Sequence, residues 1–369
     1  MRKIFPILHR LRSYKRKDLP KDIIGGLTVG IVLIPQAMAY AMIAGLPPVY
    51  GLYASLMPLL VYAFMGTSRS LAIGPVAMDS LLVAIGLGTL AIVGLENYIA
   101  LAILLAFMVG AIQFVLGIFR MGYLVTFLAK PVISGFTSAA AMIIIFSQLK
   151  HLLGVDMEGS NQFHRIFLNA IETIPETNFY DFIIGLAGIF LLFGFKKWNR
   201  HIPAILIIVV LGILAVYFFK MEALGIKIVG TIPKGLPGFV LPAFSMDTMM
   251  QLWPIALTRD LIGYIEAISI GKGIEEKNEE DQINANQELV ALGSANMLGS
   301  FFQSYPVTAS FSRSAIDDES GSKSTLSGIF TVILVIVTLI FLTPLFYYLP
   351  KAILASIIMV SVFGLIDLA

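Results

Sequence analysis

The chain of 369 residues has no cysteine, four histidines and two tryptophans, and only 13% of it is charged. The lack of cysteine excludes a disulfide-stapled secreted module. With so few histidines and no metal-spaced cluster there is little catalytic machinery, so neither an enzyme nor a bound cofactor or metal is expected. An ordinary soluble domain is about one quarter charged, so this chain has roughly half the polar surface that it would need to dissolve. Its apolar residues, 58% of the total, come in blocks rather than heptads, which excludes disorder and a coiled coil. What remains is a polytopic membrane protein. Its 32 glycines and 17 prolines suit that class, because neighbouring membrane helices satisfy the backbone groups that these residues free.

The net charge of +2 is unevenly spread. Between Met1 and Lys21 stand eight basic residues (Arg2, Lys3, Arg10, Arg12, Lys15, Arg16, Lys17 and Lys21) against one acid, Asp18. The apolar run that follows, Ile23 to Ala44, is longer than the roughly 7–15 residues of a signal-peptide core and reads as a retained first helix. The positive-inside rule then places the N-terminus in the cytoplasm. That also accounts for the basic block without a nucleic-acid partner. Twelve apolar segments are predicted, at about 22–44, 47–65, 74–93, 98–119, 124–149, 180–195, 201–219, 252–271, 287–303, 307–316, 326–343 and 349–368. Counting from inside, Arg69, Arg120, Lys130, Lys196, Lys197 and Arg200 fall on cytoplasmic connections, while the acid-bearing 150–178 loop faces out. Within that loop 161–175 reads as an amphipathic segment on the surface. Residues 221–250 read as an extended outer loop, and Glu275 to Asp281 as a solvated cytoplasmic turn.

Two segments are too broken for plain spans. Residues 70–80 and 304–312 each carry extended-type residues, a Pro-Val pair (Pro75-Val76 and Pro306-Val307), and then a helix with serine in its opening turns. Corresponding breaks in two halves of a membrane protein point to an inverted repeat whose half-helices meet at the bilayer midplane. A helix that starts there leaves backbone N–H groups unpaired and carries about half a positive charge at that end, so two facing ends form an anion cradle. Both prolines are expected at helix starts, where the missing N–H costs nothing. The alternative is a pair of kinks in a packed bundle. Arg313 favours the cradle, because an arginine within a membrane costs about 2.5–3.5 kcal/mol on insertion scales and normally marks a pathway or a paired site.

On the first span Pro35 interrupts the backbone ladder, and Gln36 and Tyr40, four residues apart, share a face. They could donate hydrogen bonds to an oxyanion, or simply bond and pack against a neighbouring helix. Glu266 lies about two-thirds along the eighth span, where a buried carboxyl can exchange protons near neutral pH. Asp79, in the first half-helix, is a second proton-coupling candidate or a helix cap. Arg259 and Asp260 are expected to pair locally near the outer end of the eighth span.

Several stretches together resemble the sulfate permease (SulP) family of anion transporters, which also includes animal prestin. They are Asp22 to Ala84, with PQAMAYAMIAGLPPVYGLYASLMP, GTSR and GPVA; Gly263 to Lys272; NQELVALG from Asn286; GSFFQSYPVTASFSRS from Gly299; and Leu342 to Asp367. The resemblance implies an all-α membrane protein with the seven-plus-seven inverted-repeat fold shared with nucleobase symporters, of which about 12 of 14 helices are present here. It implies a core domain at 22–120 and 251–345, a gate domain at 121–220 and 346–369, a basic tail at 1–21 and an outer loop at 221–250. The family continues into two more helices and a cytoplasmic STAS domain, so a chain truncated after its twelfth helix is expected. By motif position, anion binding falls on Gln36, Tyr40, the backbone around Val76 and Ala77, Ser312 and Arg313, with Ser310 beside them. The coupling acid of proton-linked members falls on Glu266. Arg259 and Asp260 stand where the family usually has apolar residues.

The function implied is a secondary active transporter of the inner or plasma membrane that moves an oxyanion, foremost sulfate, with protons, as a homodimer when full length. The alternatives are a bicarbonate or dicarboxylate carrier, with or without sodium coupling, and a channel-like or voltage-responsive element without transport. A dianion needs more than two protons before an inside-negative potential favours its uptake, since each charge is worth about 2.3 kcal/mol per 100 mV.

Overall fold

In the computed structural model the residues described are 6–7, 14–90, 92–123, 130–157, 163–198, 203–277 and 283–363. Arg2, Lys3, Arg10, Arg12, Arg200, Glu279, Glu280 and Asp281, named above for their charge, lie outside them, as does the end of the chain from 364. The predicted segments correspond to helices α1 (Leu19–Ile43), α2 (Pro48–Tyr53) with α3 (Met57–Met65), α4 (Ala77–Gly88), α5 (Leu95–Ile118) and α6 (Lys130–Leu152). They continue with α7 (Phe163–Glu172), the amphipathic piece, and then α8 (Phe179–Trp198), α9 (Ala204–Phe218), α10 (Met246–Lys277), α11 (Ala285–Ser300), α12 (Phe311–Glu319), α13 (Leu326–Val337) and α14 (Lys351–Phe363). Two short strands, β1 (Ile73–Gly74) and β2 (Thr308–Ala309), precede α4 and α12.

Among the described residues, five helical stretches are long and apolar enough to cross a membrane by length and composition, and four shorter apolar helices join them. Prolines mark several starts: Pro20, Pro48 and Pro58 sit in the first turns of α1, α2 and α3, where no intrahelical N–H bond is lost. Pro35, by contrast, lies inside α1, which runs on through it. Of the 221–250 segment, expected as an extended loop, Met221–Leu224 form a short 3-10 helix and the last five residues belong to α10, while 225–245 lie between them without a helix. That stretch is held by an isolated bridge between Ile228 and Pro350 and by Val240 N–H donating to Phe301 O at 2.8 Å.

Glycines let the most closely packed pair, α5 and α11, touch backbone to backbone. A Cβ at Gly293 would lie 2.4 Å from Phe114 N and 2.7 Å from Gly110 O, and one at Gly110 would lie 2.5 Å from Met297 N. In lipid, where burial offers little drive between helices, such small-residue contacts hold them together. Buried acids supply the other ties. Asp22 of α1 accepts from the Lys323 and Ser324 backbone N–H groups at 2.6 and 3.2 Å, from Ser324 Oγ at 2.5 Å and from Tyr14 at 2.8 Å. Glu288 of α11 accepts from Tyr62 at 2.8 Å, from Thr67 N–H at 2.6 Å and from the Thr67 hydroxyl. α14 packs on α6, α8 and α9, and α13 on α1 and α3, so two groups of helices face each other across α1 and α14.

Candidate functional site

The two broken segments meet. β1 and β2 pair antiparallel, with Ile73 opposite Ala309 and Gly74 opposite Thr308. Ser310 N–H donates to Ala72 O at 2.9 Å, and Ala72 N–H to Ser314 Oγ at 2.9 Å. Both half-helices therefore begin beside this ribbon, in the buried interior. They leave it in opposite senses. The residues after α12 reach the start of α1 through Asp22, while α5, which follows α4, meets the end of α1 where Tyr98 donates to Ala44 O at 2.7 Å.

The prolines are not where they were expected. α4 starts at Ala77 with Val76 as its N-cap, and α12 starts at Phe311 with Ser310 as its N-cap. Pro75 thus directly precedes the cap, whereas Pro306 lies before β2. The counterpart of Pro75 is the residue next to Ser310, and the shared Pro-Val is out of register with the repeat. What the halves share is a short strand followed by a helix end.

Those ends differ. No side chain caps α4, so the backbone N–H groups of its first turn around Ala77 have no side-chain acceptor at its N-cap. At α12 the Ser310 hydroxyl accepts from Arg313 N–H at 3.5 Å and sits 3.4 Å from Ser312 Oγ. The Arg313 guanidinium, fully buried, crosses to the first half and donates to Pro75 O at 2.9 Å and Gln36 Oε1 at 3.4 Å. Gln36 in turn donates to Ser361 of α14 at 3.5 Å, and the Tyr40 hydroxyl also approaches Ser361. A cleft of about 680 Å³ reaches this place, lined by Gln36, Ser312 and Ser361 at its inner end. Ile24, Thr28, Lys196, Pro203 and Glu319 line it toward its mouth, the side on which α1 begins. The structure thus brings Gln36, Tyr40, Val76, Ala77, Ser310, Ser312 and Arg313 to one locus.

The acids fall beside it. Glu266 lies within electrostatic reach of Arg313, Asp79 and Arg259. Asp79 is fully buried and does not cap α4; it pairs with Arg259 Nη2 at 2.5 Å. The expected Arg259–Asp260 pair is not formed. Consecutive helical residues point about 100° apart, so Asp260 turns toward Gln113 of α5 while Arg259 turns toward α4. Nor is Arg259 near the outer end: Gly263, one turn on, accepts from Thr308 of β2 at 2.7 Å, which puts Arg259 close to the level of the ribbon. Sequence reasoning missed this pair, and it assigned no role to Asp22 or Glu288. The one available signal was an arginine and an aspartate each standing within an apolar segment.

The sulfate permease family model matches residues 19–369. The chain belongs to the sulfate permease family. It is 41% identical over 373 residues to the chloroplastic sulfate transporter 4.1 of Arabidopsis thaliana, covering 99% of this chain and 54% of that one. It is 38% identical to the sodium-independent sulfate anion transporter of Bos taurus, covering all of this chain and 65% of that one. The chain therefore spans between half and two thirds of the length of these relatives. Among solved structures, the murine solute carrier 26 family member A9 anion transporter in the inward-facing state superposes with a TM-score of 0.92 at 28% identity, covering 98% of this chain and 63% of that one. The fold is the seven-plus-seven inverted repeat, in a family of membrane transporters rather than enzymes.

Proposed function

We propose that this member of the sulfate permease family imports sulfate together with protons by alternating access. The observation that carries the reading is the ribbon that sets the uncapped end of α4 beside the start of α12, with the buried Arg313 guanidinium between them, bonded to Gln36, which lines the cleft. Backbone N–H groups and a guanidinium are suited to an oxyanion. Gln36, Tyr40, Ser310 and Ser312 supply neutral hydrogen bonds, and Glu266 carries the coupled proton. The helices around the ribbon act as the core and α6, α8, α9 and α14 as the gate. The basic N-terminus places the cleft mouth in the cytoplasm, so this conformation is the inward-open one. The membrane is the plasma membrane and the full-length assembly a homodimer.

The test is radiolabelled sulfate uptake into vesicles holding this chain. An imposed inward proton gradient should drive accumulation, and Glu266→Gln should abolish accumulation while leaving sulfate binding intact. Uptake indifferent to the gradient would exclude proton symport. Stronger competition by bicarbonate or fumarate than by sulfate itself would move the substrate to another anion.

A further inference from the structure

Arg259 is a buried charge that sulfate binding as described does not use. It is 1% exposed and Asp79, its partner, is fully buried. The pair folds over Gly263: a Cβ there would lie 3.3 Å from Arg259 Nη1 and 3.4 Å from Asp79 Oδ1. Among the described residues, Arg259 Nε and Nη1, Asp79 Oδ1 and Glu266 Oε2 are buried atoms without a hydrogen-bond partner. Such an arrangement is expensive for a purely structural strut, because a buried ion pair holds a fold well only when its remaining polar atoms are satisfied.

The position of Asp79 suggests what the pair does. Asp79 is the third residue of α4, in the turn whose N–H groups form half of the cradle. Left ionised and unpaired, it would repel an anion there. With Arg259 beside it that charge is cancelled. The charge offered to the ligand is then about one from Arg313 and about half from each of two helix ends, close to two in all when Glu266 holds its proton. That sum suits a dianion. Without Arg259 it falls by one while Asp79 is ionised and stays near two where the unpaired carboxyl takes up a proton; without Asp79 it rises to about three, which favours a dianion still more. The other ionisable groups facing this cluster are Asp260 on the same helix, Tyr305 just before β2, and Tyr40 on α1.

We propose that Arg259, by neutralising Asp79 at the start of the first half-helix, sets the charge of the anion site and makes it select a divalent over a monovalent oxyanion. Arg259 is on this view a positioning residue that acts through Asp79. The inference rests on the anion-site reading above.

The experiment measures sulfate and nitrate affinities by calorimetry, at one fixed mildly acidic pH, for the purified full chain. Arg259→Leu should lower the sulfate-to-nitrate affinity ratio at least about tenfold where its Asp79 stays ionised, since one unit charge several Å away acts twice as strongly on a dianion as on a monoanion, and should leave the ratio unchanged where Asp79 is protonated. Asp79→Asn should raise the ratio, the double variant should return it toward the wild-type value, and Arg259→Lys should preserve it. A structural role predicts lost stability without this opposed pattern. Asp79→Asn with the wild-type ratio, or shifts of the same sign in the two single variants, would overturn the inference. If Arg259→Leu does not fold, Asp79→Asn decides alone: a raised ratio supports the inference and an unchanged one overturns it. A wild-type protein that binds neither anion would instead remove the anion site itself.

Discussion

At the residue scale the site depends on one side chain that serves both structure and binding. Arg313 starts in the second half of the chain and ends on Pro75 O and Gln36 in the first, so it holds the two halves together and lends them its charge. Arg313→Gln should therefore abolish the rise in melting temperature that sulfate gives the purified protein. It should also lower the unliganded stability by about 1.5–3 kcal/mol, the range for a hydrogen bond to a charged group. Differential scanning fluorimetry with and without sulfate reads both. Much of this locus is legible in the sequence, because Pro, Gln, Tyr and Arg within apolar runs carry meaning that needs no partner. The Arg259–Asp79 contact is not, since its members are separated by 180 positions and adjacency favoured Asp260 instead. Asp22 and Glu288 were opaque for a related reason. An acid whose role is to receive backbone N–H groups leaves no pattern among the residues that donate them.

At the element scale the twelve segments follow from apolar run length, which in lipid decides helix formation almost alone. Their contacts follow from small residues. Gly293→Ala would force a methyl into the space held by Phe114 N and Gly110 O, and neither backbone can give way without moving a whole helix. A loss of about 1–3 kcal/mol is expected, as for other overpacked interiors, and fluorescence-detected size-exclusion after a heat challenge would register it. Asp22→Asn makes a second test. It keeps the shape but loses the charge that two backbone N–H groups, a serine and a tyrosine share, and should loosen the connection from α12 to α13 by about 2 kcal/mol. The Pro306 register shows the limit of matching short motifs. Proline position is free to drift within an extended segment, while the strand that precedes each half-helix is fixed by its partner.

At the scale of the whole molecule, the two groups of helices meet along a cleft that opens where α1 begins. Ser312 is exposed within it, and the chain has no cysteine of its own. Ser312→Cys should react with a membrane-impermeant thiol reagent supplied from the N-terminal side and be protected by sulfate. Labelling of inverted and right-side-out vesicles separates the two faces, and equal reaction from both would contradict a single mouth.

The uncapped start of α4 has a practical consequence. In the proposed site its contribution would come from main-chain amides at Val76 and Ala77, which every substituted residue except proline would retain. Alanine scanning will therefore find that stretch silent and assign the affinity to the arginine alone. Replacing single amides by esters, through semisynthesis or an α-hydroxy acid incorporated at those positions, is the way to weigh that part of the receptor.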